Sequence, residues 1–306
     1  MEMAIKIRRL GILIALTMVL LLGAVLITFS YTSVGVAGSA EAGGVPLTLP
    51  DFSKVPESVT QDATELAISL YGDYQGKYED FANQLLTTYV EAKDKDIVVI
   101  FNPGGWGWNI VNNSPGWKSI FDGIKSELVD LGYSSLLLDY RRTEETARGI
   151  IDEFIEIIAC CPSKADELAY RVDFLTNHIP ELKVIIAGES VGTIISDEAM
   201  ALLKDNSRVY SIQTGRPFWH KGLMAERTLL LNDNGVNPDS FSRGDIISMV
   251  RASLKAAFGL SSLEDEAPGT IFHFVRAPGH DYNWAYPTVC AQITSFLESN
   301  FGFKQN

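Results

Sequence analysis

The chain has 306 residues, 46% of them hydrophobic and 21% charged, an ordinary composition for a globular protein with a sizeable core. Its net charge of −13 leaves no basic stripe for nucleic-acid phosphates and disfavours broad docking on anionic lipid. Cys160, Cys161 and Cys290 include no C-x-x-C pair, which argues against a structural zinc site, and no P-loop, paired-metal or dinucleotide pattern calls for a cofactor.

The N-terminus is basic through Lys6, Arg8 and Arg9 and then runs uncharged from Leu10 to Phe29. That is about 20 residues, the length of a membrane-spanning helix. It exceeds the apolar region of about 7–15 residues in a cleaved signal peptide, so an uncleaved anchor over residues 1–30 is expected. Ala40-Glu41-Ala42 is a weak cleavage site; its use would release the domain as a secreted protein. After Arg9 the next Lys or Arg is Lys54. The positive-inside rule then keeps the N-terminus in the cytoplasm and places the main domain outside it. Residues 31–60, rich in Gly, Ala, Ser, Val and Pro, read as a linker, and 61–306 as one domain.

Helical spacing is predicted from Asp62 to Lys93. From there strands and helices alternate. The strands are Asp96–Phe101, Ser134–Leu138, Val184–Ala187, Val209–Gln213, Thr228–Asn232 and Thr270–Val275. The helices are Trp117–Leu131, Thr143–Asn177 with a break at Cys161-Pro162, Val191–Leu203, Asp245–Phe258 and Tyr286–Leu297. Such alternation predicts an α/β fold, a mostly parallel central sheet with helices on both faces. Ligands of such sheets bind at the carboxyl ends of the strands.

Gly188-Glu189-Ser190-Val191-Gly192 stands at one of those ends, directly after Val184–Ala187. A G-x-S-x-G between strand and helix lifts a serine hydroxyl above the sheet. A serine nucleophile needs a base, and the base needs an orienting group. Of four histidines, His178 falls near a helix end, His220 in a loop after Phe218-Trp219, and His273 inside the last strand. His280 follows that strand, in a loop from which it can reach Ser190, and is the expected base. Three aspartates compete as the acid, in the order Asp239, Asp233, Asp245. Asp239 sits in an Asn-Pro-Asp-Ser turn, Asp233 follows a strand, and Asp245 resembles a helix cap. The oxyanion donors expected are the Val191 N–H and the Gly105 or Trp106 N–H, from Asn102-Pro103-Gly104-Gly105-Trp106-Gly107-Trp108. Trp106, Trp108, Phe218, Trp219 and Trp284 are candidates for an apolar pocket lining.

With these residues the chain resembles the α/β-hydrolase superfamily over roughly residues 95–300. The resemblance rests on the order Ser190, Asp, His280, the Gly-Glu-Ser-Val-Gly turn, the Pro-Gly-Gly loop and Asp139-Tyr140-Arg141-Arg142 after a strand. It implies a serine esterase or lipase-like enzyme that cleaves small-molecule carboxylic esters, lipid or acyl, through a covalent acyl-enzyme. It departs from many lipases and esterases in lacking a His-Gly-Gly oxyanion loop, and its acid loop is long. Only Thr214–Ala225 is available for a lid between two strands, so any lid must be small or come from the N-terminal helices or the segment near Cys160. The competing expectation is a non-catalytic binding or scaffolding module of the same fold at the membrane. Sequence leaves the oligomeric state and any Cys160 or Cys161 pairing with Cys290 open.

Overall fold

The computed structural model describes residues 51–304 apart from 73–75, 144–146, 160, 223–225, 260–268 and 272–274. The expected anchor, Cys160 and His273 therefore lie outside the described residues. Among the described residues, no helix is long and apolar enough to cross a membrane.

Five parallel strands form the central sheet. They are β1 (Ile97–Asn102), β2 (Ser135–Asp139), β3 (Lys183–Glu189), β4 (Val209–Thr214) and β5 (Thr228–Leu231), in the spatial order β2-β1-β3-β4-β5. The apolar runs are explained by burial on both faces, because a pleated strand sends alternate side chains to opposite sides. Val98, Ile100, Val184 and Ile186 face one core, packed by α1 (Glu57–Tyr71), α2 (Lys77–Ala92), α5 (Pro162–His178) and α6 (Gly192–Leu202). Ile97, Val99, Phe101, Ile185 and Ala187 face the other, packed by α3 (Pro115–Asp130) and α9 (Pro287–Phe301).

α4 (Ala147–Ile158) precedes α5. The short α7 (Ser240–Arg243) and α8 (Ile246–Ala257) follow β5. Leu49–Glu145 together with Gly149–Asn306 makes one compact unit.

Three expectations are corrected. The helical stretch from Asp62 to Lys93 is two helices. Gly72, with φ of 61°, closes the first, and the second starts after Gly76, with φ of 98°. Within the expected linker, a 3-10 turn at Phe52–Lys54 and α1 from Glu57 are present among the described residues. The strand expected over Thr270–Val275 is instead an antiparallel pair, β6 (Gly269–Ile271) and β7 (Val275–Ala277), separate from the main sheet. Its outer residues pack with Phe241 and Met249 in a small core of their own, so apolar character there reports this satellite cluster and not a sixth sheet strand.

β1 and β3 are neighbours in space, with β2 outside β1 and β4 outside β3. The chain therefore leaves the carboxyl ends of β1 and β3 in opposite directions, which opens a crevice between them.

Candidate active site

Ser190 occupies that crevice. Its φ is 51°, a left-handed conformation that costs a serine about 1–3 kcal/mol unless its surroundings hold it. Here the Ser190 N–H donates to the Thr214 carbonyl at 2.9 Å, while the Thr193 N–H and hydroxyl donate to the Ser190 carbonyl at 2.9 and 2.7 Å. The strain sits on the serine itself. The flanking glycines answer to packing instead. A Cβ on Gly188 would stand 2.6 Å from Ser196 Oγ, and one on Gly192 would stand 2.2 Å from the Asn102 carbonyl oxygen.

His280 reaches Ser190 from the loop after β7. Its Nε2 is 3.0 Å from Ser190 Oγ, and its Nδ1 is 2.9 Å from Asp239 Oδ2. An Nδ1–H donating to the carboxylate leaves the Nε2 lone pair to accept the serine hydroxyl proton. Asp239 divides its oxygens. Oδ1 accepts the Phe241 and Ser242 N–H groups as the N-cap of α7, and Oδ2 accepts from His280, Ser242 Oγ and the Tyr282 hydroxyl at 2.8 Å. Burial raises its pKa, but the bonds and charge of His280 and the Ser242 and Tyr282 donors outweigh burial, so the carboxyl is held below its ordinary value. The Tyr282 phenol is pushed strongly up by burial and by the adjacent Asp239 charge.

The two loops are joined by Asn234, which is fully buried and donates to the Asp281 carbonyl at 2.9 Å, and by the Ser240 N–H donating to the Pro278 carbonyl. The other two aspartates are engaged elsewhere. Asp233 is half-exposed, bonded to the Gly235 N–H and paired with Arg243. Asp245 is exposed and caps α8 through the Ser248 N–H.

The loop after β1 forms the facing wall. The Gly107 N–H donates to the Gly104 carbonyl at 3.3 Å, and Gly105, with φ of 58°, turns the chain. Arg142 holds this loop from below. Its guanidinium donates to Asn102 Oδ1 at 2.8 Å, to the Pro103 carbonyl and to the Gly105 carbonyl at 3.3 Å. It is neutralised by Glu153 on α4 at 2.7 Å, both side chains being fully buried. A side chain at Gly107 would collide with Arg142, its Cβ standing 2.6 Å from the guanidinium Nε.

Of the proposed oxyanion donors, the Val191 N–H begins the first turn of α6, where intrahelical acceptors are lacking. Gly105 lines the pocket beside Ser190, whereas Trp106 is not among its lining residues. The Gly104 N–H is directed elsewhere, to Glu189 Oε2 at 3.1 Å.

The pocket over Ser190 has a volume of about 310 Å³, and its lining mixes polar residues such as Asn109, Asn113, Ser114, Glu189, Thr214 and Asp281 with Pro115, Ile271 and Tyr282. This corrects the expected aromatic lining. Trp106 stacks on Trp108, Phe218 and Trp219 pack edge-on with Phe241, and Trp284 lies against Gly123 of α3. None of the five lines the pocket. Aromatic type in a loop signals burial of some kind, and here it is packing beneath and beside the site.

Sequence reasoning passed over Glu189, Arg142, Asn234 and Tyr282. The first two stand within motifs already noted, so their placement against the Gly104–Gly107 loop is the missing information. Burial raises the Glu189 pKa, opposed by the Gly104 N–H, the His280 charge, Ser114 and Arg142.

His220 does not approach Ser190. It pairs with Asp197 at 3.0 Å, and Asp197 also takes Arg216 and Gln213, which fixes the loop after β4. His178 pairs with Asp62. Cys161 is buried in the core, and Cys290 is a free, half-buried thiol. None of the pocket's lining residues comes from α1 or α2, which pack on the opposite core. Among the described residues, no group of three His, Cys, Asp or Glu side chains is placed to hold a metal ion.

No protein-family model matches the sequence, and no curated protein matches it. Among solved structures, the chain is similar to a Trichoderma reesei cutinase in complex with a C11Y4 phosphonate inhibitor. The likeness has a TM-score of 0.31 and 15% sequence identity, and covers 59% of this chain and 78% of that one.

Proposed function

We propose that the protein is a serine hydrolase of the α/β-hydrolase type that cleaves carboxylic esters. The observation that carries the reading is the continuous chain from Ser190 Oγ through His280 to Asp239, with links of 3.0 and 2.9 Å. His280 takes the serine proton as Ser190 Oγ attacks the ester carbonyl, and returns it to the departing alkoxide. Asp239 holds the imidazole in the required tautomer and faces the charge it gains. The Val191 N–H and the Gly105 N–H stabilise the developing oxyanion. Water then attacks the acyl-serine by the same proton route, releasing the acid and restoring Ser190.

A fluorophosphonate probe tests this reading directly. It labels the folded protein, and the labelling disappears in Ser190→Ala. A folded protein that resists the probe would instead favour the non-catalytic module.

The enzyme acts at a membrane surface. Leu10–Phe29 anchors it and residues 31–50 tether the domain, which faces away from the cytoplasm. Membrane fractionation of the full-length chain tests the anchor. Uncleaved protein in the soluble fraction refutes it.

A further inference from the structure

Glu189 is the residue between Gly188 and Ser190, and it is one of the residues that line the pocket over Ser190. One oxygen, Oε2, accepts from the Gly104 N–H at 3.1 Å and Ser114 Oγ at 3.4 Å. Among the described residues, no donor is paired with Oε1. Asp281 supplies a second carboxylate to the same lining. Its oxygens already accept from Asn234 at 3.2 Å and from the Tyr286 hydroxyl, which leaves Glu189 as the pocket's open acceptor.

Among the described residues, no Lys or Arg lines the pocket. The nearest buried cation, Arg142, is committed to Glu153 and to the loop carbonyls.

A partly desolvated carboxylate with one open oxygen gains most from a ligand that brings positive charge and donors. An anionic substrate would meet two carboxylates in the lining and no lysine or arginine among the described lining residues. A long alkyl chain would find mostly glycine and polar side chains in a space of about 310 Å³, at the small end of ligand pockets.

We propose that Glu189 is a specificity-determining residue that selects small esters carrying an ammonium group, and that the pocket rejects anionic and long-chain lipid esters. This rests on the hydrolase reading above. Glu189 forms no covalent bond in the scheme. It holds the substrate's ammonium while Ser190 acts on the carbonyl.

The test compares isosteres that differ only in charge, with the full-length enzyme in detergent micelles. On the alcohol side the pair is 2-(trimethylammonio)ethyl thioacetate and 3,3-dimethylbutyl thioacetate. On the acyl side it is phenyl glycinate and phenyl propionate. Each kcat/KM is divided by that ester's own hydroxide-catalysed rate. In at least one pair the cation is expected to exceed its isostere by about 10-fold or more, the scale of one partly desolvated charge–charge contact. The ratio should collapse toward one in Glu189→Gln, which keeps an acceptor for the Gly104 N–H but removes the charge.

A ratio near one in the wild type overturns the proposal, as does a ratio that survives in Glu189→Gln. Labelling by fluorophosphonate without turnover of any of the four esters also overturns it, while leaving the hydrolase reading intact. Failure of labelling removes both.

Discussion

Gly104 is in contact with Ser190. A Cβ built on Gly104 would stand 3.0 Å from the serine Cβ and 3.2 Å from the Glu189 carbonyl oxygen. The wall of the crevice and Ser190 are therefore fitted to one another with no room for a methyl group. Gly104→Ala is expected to fold, because the position does not require a positive φ. The added methyl must displace the loop or the serine by a few tenths of an ångström. Misplacement of this kind lowers kcat by about 10- to 100-fold. Steady-state kinetics with a thermal melt checks it: the melt should change little and kcat a great deal.

The Arg142–Glu153 pair predicts the reverse pattern at Glu153. Removing one partner of a buried ion pair leaves an uncompensated charge and costs about 3–5 kcal/mol. Glu153→Ala should therefore lower the denaturant midpoint sharply. Because Arg142 also grips the loop at Asn102, Pro103 and Gly105, replacing both partners by Met and Leu should restore stability without restoring kcat. Recovery of both would show that the pair does not set the loop.

Asp239→Asn separates two functions of one side chain. Asparagine caps a helix about as well as aspartate, so α7 should persist. The amide cannot hold His280 in the same tautomer, and kcat should drop by about 10⁴-fold. Asp233→Asn and Asp245→Asn should leave kcat within about two-fold, as expected for surface positions. An inactive Asp233 variant with a normal melt would move the acid role there.

Asp239 and Glu189 have opposite consequences for stability against pH. The Asp239 carboxyl titrates below its ordinary value of 3.8 when folded, so it contributes stability above that pH and loses the contribution as pH falls through the folded value. Glu189 titrates above its ordinary 4.5, so its ionised form opposes folding at neutral pH, and the penalty fades as pH falls through the folded value toward 4.5. Glu189→Gln should accordingly melt higher than the wild type at pH 7, with the difference vanishing at pH 4. Thermal melts at the two pH values decide it, and a variant that melts lower at pH 7 contradicts the sign.

Much of this architecture was legible in the residues. Runs such as Ile97–Phe101 and Val184–Ala187 are apolar at every position, which only a two-sided buried strand requires. The order of Ser190, an aspartate and His280 along those strand ends anticipates that the three side chains meet at one crevice. The pocket's character was not legible. Whether Gly105 or Trp106 lines the pocket depends on which way the Gly104–Gly107 turn runs, and Arg142, distant in sequence, holds that turn. The break at Gly72–Gly76 was missed because helical spacing resumes in phase after it. The β6–β7 reversal is not visible in Thr270–Val275, a mostly apolar hexapeptide whose composition suits a continuous strand as well as a reversal.

Asp239 carries a last implication. One carboxylate oxygen starts a helix and the other faces the imidazole, so selection for folding alone is enough to keep an acidic or amide residue there. In a lineage that abandoned hydrolysis, position 239 would drift slowly. Position 280, which no cap requires, would be released early. A descendant's activity is thus to be judged from its histidine and its serine, and an aspartate found at 239 bears witness to the helix first.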